Sequence, residues 1–297
     1  MKQILNFLII IITLNSFLFS LNDIQNEEYE KLVTKITQKI IKKWQYSPKE
    51  IDDIYSILVY DVFMDRMDYD RKYFLIEEIF IFDKWREKLD DLIYEYEPEF
   101  FNLFISTWKT RIGEIKYFLN KLEIEELNFT SNEFLEIDPD KRDYFGTKEL
   151  LFEDWRKRFK FQILRKYWSL TEKDSTINNI EFSGELNKEI LITAYEKELK
   201  NSNRRFDRLI SQDRNELYSI FMNAYTQTFD PHTSYFMPSR KEDFDINISG
   251  RLEGIGARLR EDDGYIKVVD IIPGGAAWRQ GELKIDDLII EVAQENE

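Results

Sequence analysis

Leu252-Glu253-Gly254-Ile255-Gly256-Ala257 is the stretch that decides the fold of the C-terminal part of this chain. Seven of the ten glycines follow Ser249, whereas the sequence before it is poor in glycine and carries helical periodicity. Glycine collects where the backbone takes a positive φ or where another segment approaches closely. We therefore expect a change from helix to β structure here, and we expect function to concentrate in this region.

The residues after this turn have the pattern of a small β domain. Gly256–Arg260 and Tyr265–Ile272 are predicted strands, the second rich in β-branched residues. Ala276–Gln280 is predicted to form one or two helical turns closed by Gly281, and Leu283–Val292 is predicted as a further strand.

A strand that follows such a glycine turn resembles the start of a PDZ domain. In that fold the backbone N–H groups of the turn bind the terminal carboxylate of a peptide, and the peptide pairs with the next strand. A dinucleotide site is a poorer interpretation, because the third glycine is missing and a strand follows. The resemblance implies carboxylate binding by Gly254, Ile255, Gly256 and Ala257, and strand pairing by Arg258 and Leu259.

Longer motifs make the resemblance more specific. Asp-Pro-His-Thr-Ser-Tyr-Phe at 230–236, the turn at 252–257 and Ile-Pro-Gly-Gly-Ala-Ala at 272–277 together closely resemble the tail-specific (C-terminal processing) proteases. Similar segments lie at 221–226 and 70–75. The resemblance implies a periplasmic serine peptidase with a Ser/Lys pair in a domain beyond the PDZ domain. We therefore assign no catalytic residue within this sequence.

The resemblance also sets what this chain is expected to contribute. The sequence ends at Glu297, before the PDZ helix that would form the other wall of the peptide groove and before the protease domain. We expect it to supply substrate recognition and scaffolding. Two alternatives stay open: a non-catalytic exported module that binds peptide termini, and a truncated gene product.

The predicted fold class is mainly α, with an all-α N-terminal domain at 21–240 and a partial PDZ-like β domain at 241–297, α+β overall. Leu32, Ile36 and Ile40 share one face of the first helix, and Ile54, Leu58 and Val62 share one face of the second. Two longer apolar stripes are predicted to be core: Phe100, Phe104, Trp108, Ile112, Ile115 and Leu119, then Trp155, Phe159, Ile163 and Tyr167.

Residues 1–20 are predicted to be a signal peptide, with Lys2 at the positive end and an apolar core over Leu5–Phe19. The expected location is the periplasm or cell envelope, with membrane contact only through the leader if it stays uncleaved. A net charge of −15 makes nucleic acid a poor partner. The expected partners are the C-terminal tails of unfolded or exported proteins, and an adaptor protein.

Other chemistry is weakly supported. The sequence has no cysteine and a single histidine, so we predict no disulfide, no metal site and no cofactor. His232 lies between Asp230 and Ser234, but the members of a catalytic triad normally come from separate parts of a fold. We interpret this segment as a hydrogen-bonded link. The acidic pairs at 52–53, 90–91 and 286–287 are interpreted as solvated positions.

Residues 68–74 interrupt the helical pattern with turn-forming acids. One hypothesis is a surface where a substrate or an adaptor docks. The preferred interpretation is a turn that anchors Tyr73 and Phe74 in the core.

Overall fold

The structure, a computed structural model, describes residues 26–45, 49–173, 186–237, 254–262 and 265–292. It is mainly α, with a small antiparallel sheet near the C-terminus, which confirms the predicted fold class. The helices are α1 (26–44), α2 (Asp53–Asp68), α3 (Ile76–Phe82), α4 (Leu89–Glu95), α5 (Glu99–Lys121), α6 (Lys148–Lys173), α7 (Lys188–Ile210), α8 (Arg214–Phe229) and α9 (Ala276–Gln280). The strands are β1 (Ala257–Asp262), β2 (Tyr265–Ile271) and β3 (Leu288–Ile289).

Short 3₁₀ turns occupy Asp83–Trp85, Ile124–Glu126 and Pro139–Lys141. The described residues divide into two compact units. Of the described residues, the first unit takes those within 26–115, 134–155 and 209–237, and the second takes those within 116–133, 156–208 and 254–292. Among the described helices, none combines the length and apolar character needed to cross a membrane.

An aromatic cluster forms the core of the first unit. The ring of Phe104, on α5, lies 4.7 Å from that of Phe63 and 5.0 Å from that of Phe74 between centroids. Phe82 lies 5.1 Å from the same ring. Tilted and edge-to-face pairs at these distances are favourable beyond the area they bury. Both predicted apolar stripes are buried, as the sequence predicted.

The turn after α2 is organised by the buried carboxylate of Asp68. It accepts backbone N–H hydrogen bonds from Lys72 at 2.8 Å, Tyr73 at 3.1 Å and Phe74 at 3.3 Å. These bonds fix the path that carries Tyr73 and Phe74 into the core, where both are buried. The core-anchored turn is therefore confirmed. Burial raises the pKa of Asp68 to about 7, although the three N–H groups and Lys72 act in the opposite direction.

Helix α1 does not bury the apolar face that its sequence suggests. Leu32, Ile36 and Ile40 are 57%, 47% and 53% exposed, whereas Glu30 and Thr34 are buried. Helix α2 likewise exposes Ile54 and Leu58. On α1 the reason is a set of specific polar contacts on the inward face, described below.

Some predicted element boundaries differ from the structure. The apolar pattern also predicts one helix over Phe80–Tyr96. The structure instead has α3, a 3₁₀ turn and α4 there, and the residue after α4, Tyr96, has φ of 57°. The capping residue of α2 is Asp52, whose carboxylate accepts the N–H of Tyr55 at 2.9 Å. The sequence favours Ser47, ahead of Pro48 and Glu50, as a helix cap, and Ser47 lies outside the described residues.

The three short polar residues Asn201-Ser202-Asn203 predict a break in a helix, but α7 continues through them. The hydroxyl of Ser202 donates to Glu198 at 3.2 Å, and Asn203 exchanges amide hydrogen bonds with Asn120 at 2.6 and 2.8 Å. Short polar side chains disrupt helices when they bond to their own backbone. Here they bond to other side chains, so the helix is preserved.

Candidate peptide-binding site

A β-hairpin carries the predicted binding residues. β1 pairs with β2 from Ala257↔Ile271 at one end to Asp262↔Tyr265 at the other, and the strand order is β1-β2-β3. Among the described strands β1 therefore lies at the edge of the sheet, with one side unpaired. Every second residue of an edge strand directs its N–H and C=O groups away from the sheet. The strand predicted at Leu283–Val292 is reduced to Leu288–Ile289.

Two glycines fix the turn before β1. Gly256 has φ of +76°, and a Cβ added to it would lie 2.8 Å from the Cα of Gly275. A Cβ on Gly275 would lie 2.9 Å from the Cα of Gly256. Contacts this short with backbone atoms force the backbone to move. The turn can therefore pack against the start of α9 only while both positions are glycine.

The hydrogen bonds of the turn determine where its N–H groups point. The carbonyl of Ile255 accepts the N–H of Ala277 at 2.7 Å, and the carbonyl of Gly256 accepts the N–H of Ile272 at 2.8 Å. In a trans peptide the C=O and the next N–H point in opposite directions. The N–H of Ala257 is therefore directed away from Ile272, toward the unpaired edge, and the N–H of Gly256 is directed away from α9.

The surface beside these donors is apolar and cationic. Ile255 is 48% exposed and Leu259 is 44% exposed. Arg258 lies 3.7 Å from Asp270 across the hairpin, and its side chain is largely in solvent. A register shift between Arg258 and Leu259 adds an irregularity to the ladder at this point. The turn end of the hairpin thus combines backbone donors, an exposed guanidinium and exposed aliphatic side chains.

The other end of the hairpin is held by α7. Lys200 and Arg204 each lie 5.8 Å from the ring centroid of Tyr265, and Arg208 forms a 2.9 Å ion pair with Glu261. Cations over an aromatic face and exposed ion pairs each contribute only modestly to the free energy of folding. These contacts lie at the Asp262–Tyr265 end of the hairpin, opposite the glycine turn.

The Asp230–Ser234 segment does not form a catalytic triad. His232 Nδ1 lies 3.0 Å from a carboxylate oxygen of Asp230, and the His232 side chain is almost fully exposed. The hydroxyl of Ser234 instead accepts a hydrogen bond from Gln227 at 3.1 Å. The backbone N–H of His232 also donates to Asp230 and lowers the pKa of that carboxyl. These contacts make a local turn, as the sequence predicted.

The acidic pairs have structural partners. Asp52 caps α2, Asp90 accepts from the hydroxyl of Ser56 at 2.5 Å, and Asp286 forms a 2.7 Å ion pair with Lys267. Within the described ranges, no group of three or more acidic or histidine side chains is arranged to hold a metal ion.

Sequence reasoning missed one residue of this site. The sequence predicts only that Gly275 ends a strand, whereas in the structure it supplies the surface on which Gly256 packs. The available signal was the Pro273-Gly274-Gly275 run, since consecutive glycines indicate either a turn or a close backbone approach. The sequence did not indicate which backbone approaches.

Comparison with known proteins adds independent information. The tail specific protease N-terminal domain, as a family model, matches residues 36–239. The tail-specific protease of Haemophilus influenzae is 27% identical over 269 residues, which are 90% of this chain and 36% of that protein. The carboxy-terminal processing protease CtpA of Bacillus subtilis is 41% identical over 63 residues, 21% of this chain and 13% of that protein. The chain thus spans only a minor part of the length of either relative.

Proposed function

Because the chain belongs to the tail-specific protease family, we propose that it recognises protein substrates by their C-terminal tails on behalf of a serine endopeptidase. The observation that carries the proposal is the direction of the turn N–H groups at Gly256 and Ala257. Both point away from the atoms that hold the turn in place.

A terminal carboxylate is strongly solvated, and binding it requires donors that replace its hydrogen bonds to water. Hydrogen bonds to a charged acceptor are shorter and stronger than neutral ones. The backbone from Gly254 to Ala257 supplies such donors, with the N–H groups of Gly256 and Ala257 oriented by the turn itself. Arg258 adds a positive charge nearby.

The rest of the tail is proposed to pair with β1 as an added strand, with Arg258 and Leu259 as the first pairing residues. The exposed side chains of Ile255 and Leu259 then contact the last apolar side chain of the tail. Backbone pairing supplies affinity that is independent of sequence, and the apolar contact supplies selectivity.

The proposed location is the periplasm or cell envelope, supported by the leader-like sequence with Lys2 and the apolar run Leu5–Phe19. The proposed substrates are exported or unfolded proteins with accessible tails. Cleavage is proposed to use the Ser/Lys chemistry of the family, with no catalytic residue assigned among the residues described here.

The proposal is tested with a form of the protein that includes the Ser/Lys domain of the family, and with an unfolded reporter that ends in an apolar tail. We expect the reporter with a free carboxylate to be cleaved at least about tenfold more efficiently than the same reporter amidated at its C-terminus, a difference of about 1.4 kcal/mol. Equal kcat/KM for the two reporters would contradict the proposal. Binding without cleavage would instead favour the non-catalytic exported module.

A further inference from the structure

Helix α1 is held to the first unit by its polar face. The carboxylate of Glu30, which is fully buried, accepts hydrogen bonds from Arg214 at 2.7 and 2.9 Å and from the hydroxyl of Tyr96 at 2.6 Å. The hydroxyl of Thr34 is bonded to that of Tyr218, and the amide of Gln38 donates to the carbonyl of Ile93 at 2.6 Å. Three successive helical turns therefore use their inward side for polar contacts, and Ile41 is buried on the turn that follows.

The apolar side chains of α1 lie away from these contacts. Leu32, Ile36, Ile40 and Trp44 are spaced four residues apart, which places them in one stripe along the helix. They are between 47% and 73% exposed. A surface helix normally buries such a stripe against the core. Here the helix is fixed without it, so the stripe is available to another surface.

The charge around the stripe is strongly positive. Lys31, Lys35, Lys39, Lys42 and Lys43 are all exposed, and residues 31–44 contain no Asp or Glu. The whole chain carries a net charge of −15. A local run of cations with no acid, in a protein this acidic, is complementary to an anionic surface and repels a second copy of the same helix.

We propose that α1 binds the surface of a bilayer containing anionic phospholipid, with Leu32, Ile36, Ile40 and Trp44 entering the headgroup region. Aliphatic side chains and a tryptophan beside lysines form the composition of helices that lie in the membrane interface. Lysines extend their charged ends toward the headgroups while their methylene stems cover apolar surface. The helix also follows the apolar run Leu5–Phe19 closely in the sequence. This last argument rests on the export proposed above, which would bring the helix close to a membrane.

The absence of cysteine gives a clean test, because one introduced cysteine can be labelled without background. The full chain is prepared as Ile36→Cys and, as a matched control, as Ile137→Cys, each carrying an environment-sensitive NBD fluorophore. Ile137 is 65% exposed and lies outside α1. Each protein is mixed with phosphatidylcholine vesicles that either contain or lack phosphatidylglycerol, an anionic lipid that makes the vesicle surface negative.

We expect a blue shift, and quenching by lipid-attached nitroxide, at position 36 with anionic vesicles but not with neutral ones and not at position 137. Lys35→Glu with Lys39→Glu should lower the affinity that the position-36 signal reports by at least about tenfold. Circular dichroism checks that each variant is folded.

Three results would overturn the proposal. The first is co-sedimentation of the protein with vesicles while the fluorescence at position 36 stays the same, because a leader anchored in the membrane would also cause co-sedimentation. The second is a fluorescence change at position 36 that is equally large with neutral and with anionic vesicles. The third is a change that depends on protein concentration without vesicles, which would indicate a second copy as the occupant.

Discussion

At position 256 the absence of a side chain is what allows the turn to lie against Gly275. The added Cβ would lie 2.8 Å from a backbone atom, and the φ of +76° is unfavourable for other residues. The positive φ of Gly256 could be expected from the motif, because glycine is the usual residue there. Its packing partner could not be expected, since the 18 residues between Gly256 and Gly275 determine which backbone arrives at that point.

For Asp68, a polar residue, the sequence likewise predicted the local turn but not the contacts that the side chain makes. The sequence indicated a turn at 68–74 because acidic and turn-forming residues interrupt the helical period. The Asp68 carboxylate accepts three backbone N–H groups because of the path that the turn follows. The sequence pattern does not specify that path. The consequence is a buried acid with a raised pKa, which can be measured.

We expect the stability of the protein, relative to an Asp68→Asn variant, to fall as the pH rises from 4 to 7. The pKa of Asp68 is raised from 3.8 to about 7 in the folded state, so the folded chain binds a proton that the unfolded chain has lost. Each unit of difference between the two pKa values is worth roughly 1.4 kcal/mol. Urea unfolding at several pH values measures the difference, with Asp65→Asn, an exposed position on α2, as control. A relative gain in stability with rising pH would show that the three N–H groups keep the carboxylate ionised.

At the scale of elements, α1 shows why an apolar stripe does not determine a buried face. The spacing of Leu32, Ile36 and Ile40 correctly predicted a helix. The side that packs is decided by partners distant in sequence, chiefly Arg214 on α8 and Tyr96 after α4. A single sequence reveals periodicity within a segment, but it does not reveal which distant charge meets Glu30.

The buried ion pair gives a prediction about this element. Glu30→Ala leaves the guanidinium of Arg214 without its bidentate partner and should destabilise the protein by about 3–5 kcal/mol, as loss of one member of a buried pair does. Glu28→Ala, at an exposed position of the same helix, should change the stability by less than about 0.5 kcal/mol. Chemical denaturation measures both. Similar small effects from the two variants would show that α1 is not held by its polar face.

Other elements were predictable in proportion to how strongly their pattern repeats. The stripes on α5 and α6 continue over several turns and are buried as expected. The break predicted at 201–203 was wrong, because Ser202 and Asn203 bond to side chains of Glu198 and Asn120. In the hairpin, β-branched residues and a turn predicted both strands to within a few residues.

At the scale of the whole molecule, the family match and the candidate site draw on different parts of the chain. The matched domain covers residues 36–239, whereas the turn and the hairpin lie within 254–271. Membership of the family is therefore established without the site, and the site depends on its own geometry. A test of the site must therefore measure peptide binding at the glycine turn itself.

The measurement that tests the central claim most directly is calorimetric titration of the full-length protein with one apolar-tailed peptide as the free acid and as the amide. We predict that the amide binds at least about tenfold more weakly, and that Gly256→Ala weakens binding of the acid by a similar factor. Gly113→Ala, on α5 with no atom within 4 Å of the added Cβ, should leave the affinity unchanged. Equal affinity for acid and amide, or unchanged binding by Gly256→Ala, would contradict carboxylate recognition by this turn.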